Sequence, residues 1–346
     1  MNIVNLVIPG LLWPVKVHSN ILHDLHHPAL ATLLGRGRSS WSRAQQIEPW
    51  LAGCFGLTGE NIPYAALRRA GEEVQYENAS WMCADPVHLR LARDALILVD
   101  ASELEITADE TQRIIATLNE HFSALGEFVA PSAQRWYLRL HRQTAVSTHP
   151  VSAVIGRRID AFLPSGETGA HWRRQINEAQ MLLHEHPVNI QREAAGKPAI
   201  NSVWFWGAGE LPARLSAAQL SIDYSALSGD ARLVGGLARQ AKIHHAALPA
   251  AFQAGRPAPA LFVLDQLQHA AQHLNAAAWC AALSQLETHW FAPALAALKD
   301  GAMDVLRLTA LGDQATLDVT ITRGDSRKFW RRSCSLSQLT PPASFV

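Results

Sequence analysis

Residues 177–212 read NEAQMLLHEHPVNIQREAAGKPAINSVWFWGAGELP, and this stretch decides the fold. It opens as a helix, passes through a polar loop that holds His186, Asn189 and Arg192, and leaves as the apolar run Ser202 to Trp206. That run is short, aromatic and β-branched, and Gly207 and Gly209 close it: the pattern of a buried strand ending in a glycine loop. An imidazole, a carboxamide and a guanidinium gathered between two regular elements offer hydrogen-bond donors to an anion. The same residues allow a second reading, in which His186 and Asn189 cap the helix end and tie the turn together.

As a set, HPVN at 186–189, Arg192, Gly196, Asn201 and WFWGAG at 204–209 resemble the HPVN…R…G…AN…IWLWGQG segment of archaeal-type cofactor-independent phosphoglycerate mutases, members of the alkaline-phosphatase-like superfamily. The lead-in NE-x-QM-x-LH at 177–184 and the double-Trp strand are similar to the bacterial RpfE-type regulatory proteins. The resemblance implies an α/β protein, with a mixed-sheet core carrying helices on both faces and an inserted smaller α/β lid. It places the core at 1–95 and 199–346 and the lid, which would bind phosphate, at 96–198.

A chain of 346 residues that is 48% hydrophobic has enough material for two domains or one large α/β unit. Its formal net charge is zero, so nothing in the balance points to nucleic acid or an anionic membrane. The basic residues are 25 Arg against 5 Lys, which suits bidentate phosphate recognition and also follows from GC-rich coding. Cys54, Cys83, Cys280 and Cys334 lie far apart without a CxxC, which argues against a zinc knuckle or disulfide framework and fits a reducing cytoplasm. The opening MNIVNLVIPGLLWP is apolar but has no basic leader or cleavage pattern, and reads as a buried strand and turn.

Taken in order, Asn2 to Ile8 is a first strand running into Pro9-Gly10. The resemblance puts a metal-binding aspartate where Pro9 stands, and Pro9 has no ligand atom. Residues 27–37, HPALATLLGRG, predict a helix with proline near its start. His23, His26 and His27 precede it as a cluster read as solvated loop. The nucleophile of the resembled enzymes falls at Ile47 or Glu48, and Ser39, Ser40 and Ser42 lack the flanking signature. In WMCADPVHL, Asp85 and His88 could pair as base and orienter, or Asp85 could start a turn. Thr107-x-x-Glu110 predicts a capping box, and RWYLRL at 135–140 a half-buried strand. Gly156-Arg157 stands at the phosphate-facing Gly-Lys of the resembled segment. Arg135, Arg157, Arg158, His186, Asn189 and Arg192 are therefore the candidate ligand-binding set, an arginine-rich module suited to a phosphomonoester or carboxylate.

Beyond Pro212, PALFVL at 259–264 predicts a buried strand. Asp265, His269 and His273 follow at i, i+4 and i+8, on one face if helical. Residues 275–298 form an amphipathic helix, and a hairpin turns at Gly312-Asp313. Asp265, His269 and Asp313 are the weak metal candidates. The terminal KFWRR is read as an edge and packing element.

Two-metal phosphoryl transfer needs several carboxylate and imidazole ligands and an activated hydroxyl. The first-strand aspartate, the serine and one paired histidine are missing, and losing a nucleophile alone costs about 10⁶ in rate. The expectation is a degenerate, cytoplasmic mutase-like protein without catalytic residues or cofactor, which binds a phosphorylated metabolite or small anion and acts as a regulator. Two alternatives remain. One is a phosphoglycerate mutase or phosphatase with a rearranged Mn or Zn site; the other is an interaction scaffold with a vestigial pocket, its protein partner unknown.

Overall fold

The computed structural model describes residues 2–14, 25–72, 79–211, 224–229, 231–255 and 259–342. In chain order its elements are β1 (Ile3–Pro9), α1 (Pro28–Arg36), β2 (Arg38–Arg43), α2 (Ile47–Cys54), α3 (Tyr64–Glu72), β3 (Trp81–Ala92), β4 (Ala95–Asp100), α4 (Ala108–His121), β5 (Gly126–Ser132), β6 (Arg135–Leu140), α5 (Gly169–His184), α6 (Pro187–Ala194) and β7 (Ser202–Gly209). There follow β8 (Ala226–Ser228), α7 (Arg232–Ala241), β9 (His244–Ala246), β10 (Ala260–Val263), α8 (Gln268–Gln272), α9 (Ala276–Leu286), a π-helical turn (Glu287–Phe291), α10 (Ala292–Asp300), β11 (Val305–Leu311), β12 (Ala315–Thr322) and α11 (Arg323–Ser326). Contacts divide the chain into two compact units, 1–56 with 216–346, and 57–215.

The first unit is built on a seven-stranded mixed sheet in the order β2-β12-β11-β1-β10-β8-β9. β1 lies between β10 and β11, parallel to both, with Val4 opposite Ala260 and Leu306. A strand covered on both faces reads as a continuous apolar run, and IVNLVIP is one. β11 and β12 form the hairpin predicted around Gly312-Asp313, and β2 pairs antiparallel with β12. Trp279, Trp290, Phe291 and Phe262 fill the core beside the sheet. The helix expected over 275–298 is interrupted by the π turn, where the buried carboxylate of Glu287 accepts from the Ala29 (2.6 Å) and Leu30 (3.0 Å) amides. Those are orphan donors at the start of α1, and an anion there also suits the helix dipole.

The second unit holds an antiparallel sheet, β4-β3-β6-β5, with β7 also paired to β3. Helices α4 and α5 cover it through Ile114, Leu118, Trp172 and Ile176, packed with Trp136, Phe128 and Phe205. The Thr107–Glu110 capping box forms in both directions at the start of α4. This unit is larger than the 96–198 insert expected from the sequence, for a pairing reason. Val87 pairs with Asp100 and Met82 with Leu138, so cuts at 95 and 198 would sever β3, and β7 paired to it, from β4 and β6 of their own sheet. β7 also runs past its expected stop. Gly207, at φ +64°, sits where the pairing with β3 shifts register, and a Cβ there would meet Tyr64 at 2.7 Å. The glycine makes a bulge inside the strand instead of ending it.

Candidate functional site

The HPVN segment is a helix, not the polar loop predicted. His186 is the N-cap of α6 and Pro187 its first residue, a position that suits proline because its missing N–H would have no partner. The imidazole Nδ1 accepts from the Val188 amide at 3.2 Å, and Nε2 lies 3.0 Å from the Thr117 hydroxyl. Asn189 is fully buried; its amide donates to the Leu183 (2.8 Å) and Ile200 (2.9 Å) carbonyls and its oxygen accepts from the Ile200 N–H at 2.7 Å. Arg192, also buried, donates from Nε to the Pro198 carbonyl (2.7 Å), from Nη1 to Glu110 (2.9 Å) and from Nη2 to the Leu104 carbonyl. Burial lowers the His186 pKa, and nearby Arg113 lowers it further, so the ring is neutral at pH 7. Burial pushes the Glu110 carboxyl up, but hydrogen bonds from Thr107 and Arg192 outweigh it and hold that group below its usual range. These three side chains face inward and hold the segment together, as in the second reading of the sequence.

The remaining arginines do not join them. Arg135 is engaged by Glu72, with Nε to Oε1 at 2.7 Å. Arg158 is exposed beside Asp160 (3.4 Å) and Asp94 (4.0 Å). The half-buried Arg157 guanidinium lies 6.0 Å from the Phe162 ring centroid. The six residues of the expected anion module are thus held by different partners, and His186, Asn189 and Arg192 are bonded internally. Asp85 and His88 do not pair either, because an odd spacing on a strand puts them on opposite faces. His88 Nδ1 lies 2.8 Å from the Ala199 carbonyl, whereas Asp85 receives both arms of the Arg68 fork at 2.9 and 2.6 Å and the Trp206 indole N–H at 2.8 Å. Arg68 Nε also donates to the Tyr137 hydroxyl (2.8 Å), which donates to Glu72 (3.0 Å). This buried network, absent from the sequence expectations, ties α3 to β3, β6 and β7.

In the first unit an open cleft lies at the C-terminal ends of β1 and β11, the sheet position where α/β proteins commonly bind ligands. It is lined by Pro9, Gly10, Gln45, Gln46, Gln268, Gln272 and Asp313, among others. A second, apolar recess shares Leu12, Pro14, Gly312 and Asp313 with it and is walled by Trp13, Trp41, Leu336, Leu339 and Pro341. The Pro9-Gly10 turn is tight: Gly10 has φ +79°, its N–H donates to the Leu311 carbonyl at 3.0 Å, and its carbonyl accepts from the Trp279 indole at 2.7 Å. Of the three metal candidates only Asp313 lines this cleft. Asp265 precedes the five-residue α8 and so does not share a helical face with His269 and His273, whose rings lie 4.4 Å apart. Within the first unit, no three described His, Cys, Asp or Glu side chains bring a ligand atom each within 4.8 Å of one another. Ile47, at the expected nucleophile position, is a buried apolar residue opening α2, and Ser39, Ser40 and Ser42 lie in β2 opposite β12. Near α1, His27 Nε2 lies 3.2 Å from the Ser284 hydroxyl, and His23 falls outside the described residues. Carboxamides at the strand ends and proline at the first-strand anchor do not fit a two-metal centre.

Residues 73–189 match the family model of 2,3-bisphosphoglycerate-independent phosphoglycerate mutase. A mutase of that description from Methanosarcina mazei is 29% identical over 211 residues, which cover 58% of this chain and 53% of that protein. A second, from Methanothermobacter thermautotrophicus, is 31% identical over 118 residues, 33% of this chain and 29% of that one. The chain thus matches about half or less of the length of these curated relatives. The solved PH0037 protein from Pyrococcus horikoshii superposes with a TM-score of 0.50 and 14% identity, covering 97% of this chain and 91% of that one. The fold is alkaline-phosphatase-like. In sequence the chain is phosphoglycerate-mutase-like, and the family-model match lies wholly within the 57–215 unit. Among the described residues, no helix is long and apolar enough to cross a membrane.

Proposed function

We propose that this mutase-like protein holds a small ligand in the strand-end cleft without turning it over, and serves as a binding, regulatory protein. The observation that carries this reading is the chemistry of the cleft: Gln45, Gln46, Gln268 and Gln272 surround a strand end whose last residue is Pro9. A carboxamide donates and accepts hydrogen bonds but supplies no charge, no general base near neutral pH and no strong ligand for a hard cation. Asp313 adds one negative charge, and no lysine or arginine lines either recess among the described residues. The cleft thus favours an uncharged or cationic hydrogen-bonding group with an apolar flank against Leu12 and Trp41, and disfavours the phosphomonoester expected from the sequence.

The test is a thermal-shift panel on metal-analysed protein, with 3-phosphoglycerate, inorganic phosphate, EDTA and a library of neutral and cationic metabolites. A ligand at one hundred times its Kd adds about 2.7 kcal/mol of stability. The expected hit is a neutral or cationic compound whose shift disappears in Gln268→Ala/Gln272→Ala. Conversion of 3-phosphoglycerate with added Mn²⁺ or Zn²⁺ would overturn the reading in favour of an enzyme.

A further inference from the structure

The turn after α11, residues 327–332 (RKFWRR), does not pack as the sequence suggested. Phe329 is 81% exposed and Trp330 67%, an adjacent aromatic pair whose rings meet edge to face at 5.3 Å and 82°. The base beneath them is firmly tied. Asp325 closes a capping box with Thr322 and binds Lys328 Nζ at 2.6 Å. Arg331 donates to the Arg36 carbonyl at 3.0 Å, Arg36 donates to the Ser326 carbonyl, and the Cys334 amide donates to Ala31 at 2.9 Å. Gly35 permits the close approach, since a Cβ there would collide with the Arg332 carbonyl oxygen. The turn is thus a preformed projection: two rings at the tip, Arg327 and Arg332 exposed on either side, and no acidic residue within it.

We propose that this turn docks the protein on an anionic lipid surface, with Phe329 and Trp330 entering the headgroup layer and Arg327 and Arg332 facing lipid phosphates. A convex tip needs no complementary pocket in a fluid partner, and aromatic rings favour the membrane–water interface. Cations beside an anionic leaflet add an attraction that salt screens. Because the anchored base already fixes the turn, little ordering entropy is lost on contact. Single-stranded nucleic acid calls for ring faces set along a basic groove, whereas these rings meet edge to face on a projection. With a formal net charge of zero, the chain as a whole adds no net attraction to the surface.

The experiment is cosedimentation of the full chain with vesicles of phosphatidylcholine alone or with about one third phosphatidylglycerol, at low salt and about 0.5 M salt. The expected result is about tenfold stronger partitioning onto the anionic vesicles, lost at high salt. Phe329→Ser/Trp330→Ser should lower it about tenfold on vesicles of either composition, and Arg327→Gln/Arg332→Gln should remove the anionic preference. All these side chains are exposed, so unchanged thermal midpoints would verify that the variants fold. Wild type left in the supernatant with both vesicles, equal binding by the aromatic variant, or capture of an acidic protein through this turn without any vesicle binding would each overturn the proposal.

Discussion

In the 57–215 unit, the side chains that resemble a mutase site are present but turned inward: His186 caps a helix, Asn189 staples two segments, and Arg192 spans Leu104, Glu110 and Pro198. In the other unit the position suits a ligand, an open cleft at parallel strand ends, and the groups there include carboxamides and a proline. One unit uses the resembling side chains in its own folding; the other presents an open cleft lined by carboxamides. The family-model match, at residues 73–189, lies in the unit whose resembling side chains are bonded inward.

The strongest test of this contrast is Arg192→Met. Removing a buried guanidinium strands Glu110 and two carbonyls, and urea unfolding should show a loss of about 3–5 kcal/mol. If the variant instead folds normally and loses phosphate binding, the inward reading fails. Asp85→Ala, which leaves the Arg68 guanidinium and the Trp206 N–H without their acceptor, should cost about 3 kcal/mol. A double change of Arg68→Met and Asp85→Leu should cost less than Asp85→Ala alone, because no charge is left buried. Asn189→Ala should cost about 2 kcal/mol by leaving the Leu183 and Ile200 groups unpaired.

Acid sharpens the comparison by a smaller amount. Burial holds the folded His186 pKa below its ordinary value of 6.5, so its contribution is intact above that pH. It is lost as pH falls through 6.5 and the unfolded chain takes up the proton first. His27 and His149 shift in the same direction through burial, and each histidine adds at most about 1.4 kcal/mol per pH unit. Stability measured from pH 7 to 5 should fall, and His186→Gln should flatten the curve. The smallest effect belongs to the cleft: Gln268→Ala/Gln272→Ala should change stability by no more than about 0.5 kcal/mol per site while abolishing ligand shifts.

Much of the fold was legible because local pattern and final structure agree. IVNLVIP is buried on both faces, Thr107 and Glu110 cap each other, and RWYLRL forms β6 over the residues predicted. HPVN was harder to read: proline and asparagine signal a turn as well as a helix start, and only the tertiary partners of Asn189, in α5 and before β7, decide between them. Arg68 and Asp85 are 17 residues apart and meet only when α3 packs on β3. The cleft draws on segments near residues 9, 45, 268 and 312, which no spacing rule connects. One clue was available, since Gln45 and Gln46 immediately precede the position assigned to the nucleophile. The compact units differ from the expected boundaries because β3 pairs with β6, far along the chain, and no local pattern in the sequence marks that pairing.

The placement of β1 has a consequence for how the chain is made. Residues 57–215 are contiguous, and their sheet pairs only with itself, so that unit has all its partners once residue 215 has left the ribosome. β1 is synthesised before that unit, yet its two neighbours are β10 and β11, the second ending at Leu311. At about 5–20 residues per second, this buried strand waits roughly 15–60 s for its partners. During that interval a fully formed domain grows behind an unpaired hydrophobic segment. An apolar strand left unpaired for that long is exposed to off-pathway association during synthesis.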